Sequence, residues 1–184
     1  MFGLANALSL FRIAMLPLLG VLAWLGEAGF FLTGLAASLL SDAVDGFVAR
    51  RSGEVTPLGA RLDSLGDLVT FGSLPLFAWW LWPEILRAER VAIAIAVCAY
   101  LAPLGVGWLR FGRLTSYHTW AAKGTAVWMG MALFVLFAGG PAWPFHLGVA
   151  LLVLECAEEI AISCVLPAWQ SDVPTLWHAL RGAR

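Results

Sequence analysis

Val91-Ala-Ile-Ala-Ile-Ala-Val-Cys98-Ala-Tyr100-Leu-Ala-Pro103-Leu-Gly-Val-Gly-Trp108-Leu109 runs for nineteen residues without a charge. A helix rises about 1.5 Å per residue and roughly twenty residues cross the hydrocarbon of a bilayer, so this stretch reads as a membrane span. Used as a ruler, it predicts five more, near Leu8–Leu25, Gly29–Ala49, Leu62–Leu81, Trp120–Ala138 and Phe145–Leu166. The stretches between them are short and hold charge or helix breakers: Gly26–Ala28, Arg50–Arg61, Trp82–Arg90, Arg110–Thr119 and Gly139–Pro144. The expectation is an all-α polytopic membrane protein, a single domain over residues 1–184 built as a bundle of six transmembrane helices.

Composition points the same way. The 184 residues are 61% hydrophobic and 12% charged, about half the charged fraction of an average soluble domain. Cys98, Cys156 and Cys164 lie singly in apolar stretches and read as buried apolar residues, not as a disulfide framework. A net charge of −1 with no basic run excludes nucleic acid as a partner. The opening residues Met1–Leu10 lack the charged start and small-residue cleavage site of a signal peptide, so the first helix is expected to be retained.

Orientation follows from the eleven Lys and Arg residues, because cytoplasmic flanks are enriched in them. With the N-terminus inside, nine of them face the cytoplasm (Arg12, Arg50, Arg51, Arg61, Arg110, Arg113, Lys123, Arg181 and Arg184), leaving Arg87 and Arg90 outside. Both termini are therefore expected to be cytoplasmic, in the inner membrane. Tryptophans cluster at the expected span ends, as interfacial belts do, with Trp128 alone at mid-span. Residues Gln170–Arg184 read as a short interfacial helix.

Four of the five aspartates, Asp42, Asp45, Asp63 and Asp67, fall in one window from the end of the second span to the start of the third. An Asp at the centre of a spanning helix costs about 2.5–3.5 kcal/mol, so the concentration needs a reason. Asp42, Asp45, Gly46 and Ala49 recur at helical steps of three and four, and Gly59, Asp63 and Asp67 at steps of four, giving two acidic, small-residue stripes. Antiparallel helices would bring the stripes together in the cytoplasmic half of the membrane. Carboxylates that close cannot all stay ionised: either some are protonated or divalent cations sit among them. A hard all-oxygen set suits Mg²⁺ or Mn²⁺, and such ions grip phosphates, which points to a phosphate-handling membrane site.

In order, the window reads Asp42-x-x-Asp45-Gly46-x-x-Ala49-Arg50, eight residues, then Gly59-x-x-x-Asp63-x-x-x-Asp67. It resembles the signature of the CDP-alcohol phosphotransferase (CDP-alcohol phosphatidyltransferase) family at all eight specified positions, over 26 residues. The six-span layout and the opening Asn6-Ala-Leu-Ser-Leu-Phe-Arg12 with Pro17 are similar to that family too. The resemblance implies an enzyme of phospholipid biosynthesis. It would move a phosphatidyl group from CDP-diacylglycerol to the hydroxyl of a small polar alcohol and release CMP, with two Mg²⁺ or Mn²⁺ ions and a homodimeric assembly. Carried over, Asp42, Asp45, Asp63 and Asp67 would hold metal, with Asp67 the general base. Asp42, Asp45, Gly46, Ala49, Arg50 and Gly59 would form the nucleotide site.

The expected acceptor is serine or glycerol 3-phosphate. Leu62-Asp63-Ser64-Leu65-Gly66-Asp67 followed by Thr70-Phe71-Gly72 and Pro75 resembles the phosphatidylserine synthase branch. Arg113 and Lys123 could instead bind an acceptor phosphate, although Arg113 equally suits a plain positive-inside residue and Lys123 a snorkelling one. Glu155, Glu158 and Glu159 are read as members of a structural ion pair with Lys123 or Arg12. Two other classes compete. An intramembrane prenyltransferase would need more helices and two acidic motifs far apart. A divalent-cation transporter would place its acids near mid-membrane with access from both sides.

Overall fold

The computed structural model describes residues 4–52, 72–112, 117, 119–168, 170 and 173–182, with side chains at 14–41 in the first stretch and throughout the others. The described residues form helices joined by turns, with no strand among them. In chain order these are α1 (Leu4–Trp24), α2 (Ala28–Ser52), α3 (described at residues 72–81), α4 (Pro83–Ala88), α5 (Arg90–Phe111), α6 (Trp120–Phe137), α7 (Trp143–Val165) and α8 (Leu176–Gly182). Five of the six stretches expected to span fall on long helices; of the third, the described part, residues 72–81, is helical. Among the described residues, α5 and α6 are long and apolar enough to cross a membrane by length and composition. The connection expected at Trp82–Arg90 instead holds α4, started by Pro83 with Glu84 in its first turn and Arg87 in its last. Those are the residues that a helix start and the helix dipole favour at these places. Of the final segment, the described residues are helical over Leu176–Gly182.

Two compact units make up the chain, Met1–Leu86 and Arg87–Arg184. In the first, α1 and α2 form an antiparallel hairpin. Gly26 turns left-handed at φ 78°, so that Glu27 N–H closes on the Leu22 carbonyl at 2.9 Å and Gly26 N–H on Ala23 at 3.2 Å, a Schellman ending. Leu19 and Ala23 on α1 are buried, as are Phe31 and Leu35 on α2 and Phe77 on α3. Phe31 meets the rings of Phe77 and Trp82 edge-on at 5.7 and 5.8 Å, and Trp24 meets Trp80 at 5.4 Å. Edge-to-face pairs of this kind are each worth about 0.5–1.5 kcal/mol beyond the area they bury.

In the second unit α7 is the common partner of α5 and α6. Its buried stripe, Phe145, Gly148, Val149, Cys156, Ile162 and Ser163, follows the helical repeat. The start of α7 is tied from both sides: Trp128 Nε1 on α6 donates to the Pro144 carbonyl at 3.0 Å, and His146 Nε2 lies 2.6 Å from Glu89 Oε2 just before α5. At its other end, Arg110 of α5 donates to the Leu166 carbonyl at 3.2 Å. The α6–α7 turn repeats the device seen at Gly26, with Gly139 at φ 82° and Gly140 N–H on the Val135 carbonyl at 2.8 Å. A Cβ at Gly140 would come within 2.8 Å of that carbonyl oxygen and 2.6 Å of Val135 Cγ1.

Tyr117, between α5 and α6, is fully buried with Ile162, Leu166, Val173 and Ala179, and its hydroxyl shares a 2.9 Å hydrogen bond with Ser163 Oγ. Burial pushes the Tyr117 phenol above its ordinary value of 10.0; the Ser163 bond acts the other way, and the charge of Glu159 adds to the rise.

Two measurements check this packing. Gly140→Ala lowers stability by about 1–3 kcal/mol through overpacking, read as a lower melting temperature in detergent, while Gly105→Ala, which meets open space, does not. Tyr117→Phe leaves Ser163 unpaired and costs about 1–3 kcal/mol, a loss that shrinks in the Tyr117→Phe/Ser163→Ala double variant. Since the folded state holds the phenol proton more tightly, its stabilisation is complete below pH 10.0 and fades as pH rises through the higher folded value. In a Tyr100→Phe background, leaving a single tyrosine, phenolate absorbance should emerge only above pH 10 and together with unfolding.

Candidate functional site

Positions Phe31, Leu35 and Ser38 form the buried stripe of α2 at steps of four and three, with exposures of 1%, 7% and 1%. The helix runs unbroken from there to Ser52. Continuing the same register, the stripe passes through positions 42, 45, 46 and 49. These are Asp42, Asp45, Gly46 and Ala49, so the backbone places the first half of the acidic window on the continuation of the packed face of α2. Arg50 follows on the same helix. Gly59, Asp63, Asp67 and Arg113 lie outside the described residues.

The fit of a divalent ion to this site is judged on donor chemistry. Two aspartates one helical turn apart, on a stripe that is otherwise apolar and small, supply hard oxygen donors where an unpaired charge would be costly. Gly46 and Ala49 on the same stripe carry little or no side chain, which leaves room beside the backbone. Among the described residues no group of three His, Cys, Asp or Glu is placed to hold a metal.

Lys123 sits one turn into α6, its ammonium 4.9 Å from the centre of the Trp120 ring. None of the three glutamates of α7 is paired with it, which corrects the expected Lys123 ion pair; the Arg12 side chain lies outside the described residues. Two of the three acids have other partners. Glu158 Oε1 accepts the Leu176 N–H at 2.9 Å and so caps α8. Glu155, 8% exposed, accepts the Cys156 thiol at 3.4 Å, and the charge of Glu159 acts on the Tyr117 phenol. A cavity of about 380 Å³ opens between α6 and α7 beside Trp120, Gly124, Thr125, Leu151, Leu154 and Glu155.

The segment after α7 folds back on the start of α6. Trp120 N–H reaches the Pro174 carbonyl at 3.2 Å, and Thr119 Oγ1 accepts from Ala122 N–H at 3.0 Å as the α6 N-cap. Together with the Tyr117 core, these contacts hold both sides of the connection that contains Arg113. Sequence reasoning missed the capping role of Glu158 and the burial of Ser38. The first leaves no local signal, because its partner is a backbone N–H eighteen residues away. The second was available as the one polar position on the α2 stripe directly before Asp42.

The sequence profile of the CDP-alcohol phosphatidyltransferase family matches residues 2–163. A CDP-diacylglycerol–glycerol-3-phosphate 3-phosphatidyltransferase of Pseudomonas fluorescens is 29% identical over 164 residues, 83% of this chain and 82% of that protein. The enzyme of the same name from Pectobacterium atrosepticum is 32% identical over 152 residues, 73% of this chain and 76% of its own. A CDP-diacylglycerol–serine O-phosphatidyltransferase of Methanocaldococcus jannaschii is 39% identical over 64 residues, 35% of this chain, and the match spans about a third of that relative's length, 32%. No solved structure shows significant similarity to the chain. A nucleotide-linked transfer is thereby favoured over prenyl transfer or cation transport. With the profile covering nearly all of its length and these relatives aligned along it, the chain is an enzyme belonging to the CDP-alcohol phosphatidyltransferase family.

Proposed function

We propose that the protein transfers a phosphatidyl group from CDP-diacylglycerol to the hydroxyl of serine or glycerol 3-phosphate, releasing CMP, as a step of phospholipid synthesis. The observation that carries this is the run of the family signature along α2, where Asp42, Asp45, Gly46 and Ala49 continue the packed stripe of the helix. The relatives aligned over most of the chain are named for glycerol 3-phosphate, and the shorter, more identical one for serine. The Leu62–Gly72 sequence favours serine, while Arg113 and Lys123 are the candidate ligands for an acceptor phosphate.

Asp42, Asp45, Asp63 and Asp67 would hold two Mg²⁺ or Mn²⁺ ions, which when bound neutralise charge on the diphosphate oxygens. Gly46, Ala49 and Gly59 line the nucleotide pocket and Arg50 supports the nucleotide side. Asp67 accepts the proton of the acceptor hydroxyl as its oxygen bonds to the phosphatidyl phosphorus. The bond from that phosphorus to the bridging oxygen breaks, and CMP leaves with the oxygen. A carboxylate beside cations is a weak base, so the proton moves late, once the attacking hydroxyl has become acidic. The architecture read with this function is one domain over residues 1–184, with six spans, both termini in the cytoplasm and the site in the cytoplasmic half of the inner membrane, assembled as a homodimer.

The test is CMP release by the purified protein with CDP-diacylglycerol and Mg²⁺ or Mn²⁺, with serine, glycerol 3-phosphate, inositol 1-phosphate or no acceptor. Release that depends on one acceptor is expected. Asp67→Asn should lower turnover by about 10²–10⁴-fold while donor binding stays nearly unchanged; Asp42→Asn should weaken metal and donor binding together. Equal loss of binding in the two variants would contradict the division of roles.

A further inference from the structure

Serine and threonine inside a helix commonly return their hydroxyl proton to a carbonyl one turn back. Two residues of α2 do so: Thr33 Oγ1 donates to the Gly29 carbonyl at 2.9 Å and Ser41 Oγ to the Ser38 carbonyl at 2.8 Å. Ser38 does not. It is 1% exposed, and its Oγ has no hydrogen-bond partner among the described residues. A buried hydroxyl left unpaired is destabilising, and nearly all buried polar groups in folded proteins find a partner, so each exception calls for a cause.

The position of Ser38 supplies one. Along the α2 stripe the residues change from apolar (Phe31, Leu35) to hydroxyl (Ser38) to acid (Asp42, Asp45) on an uninterrupted helix. Ser38 precedes Asp42 by four residues, a spacing that places two positions next to each other on one helix face. A carboxylate that binds a cation through one oxygen still has lone pairs to satisfy. Donors that orient metal-binding side chains typically change metal affinity by 10- to 100-fold when removed.

We propose that Ser38 is a positioning residue of the acidic site, its uncommitted hydroxyl reserved for the carboxylate of Asp42 one helical turn further along α2 and fixing that group for the divalent ion. This inference rests on the reading of Asp42 as a metal ligand. Ser38 touches neither substrate nor reacting atoms and acts through the aspartate alone.

The experiment compares the wild type with Ser38→Ala, Ser38→Thr and Asp42→Asn, each purified in detergent, by titration with Mn²⁺ in the presence of CDP. Free Mn²⁺ is followed by electron paramagnetic resonance, and melting temperature is recorded in parallel. Ser38→Ala is expected to weaken Mn²⁺ binding by about tenfold or more without lowering the melting temperature, because it deletes an unpaired polar group. Ser38→Thr, which keeps the hydroxyl, should stay within about threefold of wild type. Unchanged Mn²⁺ affinity in Ser38→Ala beside a clear loss in Asp42→Asn would overturn the role of Ser38 and leave the acidic site standing. Equal losses of affinity and melting temperature in both Ser38 variants would also overturn it, as a packing effect. Unchanged affinity in Asp42→Asn would sink the metal-site reading itself, and the role of Ser38 with it.

Discussion

An ionised carboxylate removed from water costs several kcal/mol unless a counter-charge, a set of hydrogen bonds or a metal replaces the solvent it has lost. In a chain that is 61% hydrophobic with twelve acids, this penalty governs where the acids can go. Glu89 lies just before α5 and meets His146. Glu158 spends an oxygen on the first N–H of α8, and Glu155 accepts a thiol. The acids of α2 fall instead on the extension of the stripe packed at Phe31, Leu35 and Ser38. A site arranged in this way has a standing demand for positive charge, one that a divalent ion carried in with a diphosphate would answer.

The two units solve the problem of chain reversal alike. α1 and α6 both end in a left-handed glycine whose neighbour closes on the carbonyl five residues back. These endings satisfy carbonyls that would otherwise be orphaned at the helix end. Around them the contacts differ. The first unit is held by aromatic rings at the α1–α2 turn, toward the opposite end of α2 from Asp42 and Asp45. The second has α7 as its spine, pinned near its start by Trp128 and Glu89 and near its end by Arg110 and Tyr117.

Much of the helical layout was legible because an uncharged run such as Val91–Leu109 can satisfy its backbone in an apolar setting only as a helix. The acidic face was legible for a related reason: a three- and four-residue spacing has one meaning on a helix, and Asp42, Asp45, Gly46 and Ala49 repeat it. What escaped was whatever depends on a partner distant in sequence. α4 was hidden because Pro83 reads as a breaker and also as a helix start. The glutamates of α7 invited ion pairs on charge alone, whereas their described partners are a backbone N–H and a thiol. Ser38 looked like ordinary small-residue filling until burial separated it from Ser41, whose proton has a local carbonyl.

The pinning of α5 has a mechanical meaning in a bilayer. Arg90 and Arg110 bracket its nineteen uncharged residues, a rise of about 28 Å. One end is joined to α7 through Glu89 and His146, the other through Arg110 and the Leu166 carbonyl. Tied at both ends, the two helices cannot slide past each other to adjust their combined height. A membrane thinner or thicker than that span must be accommodated by tilting the pair as one body or by deforming the surrounding lipid.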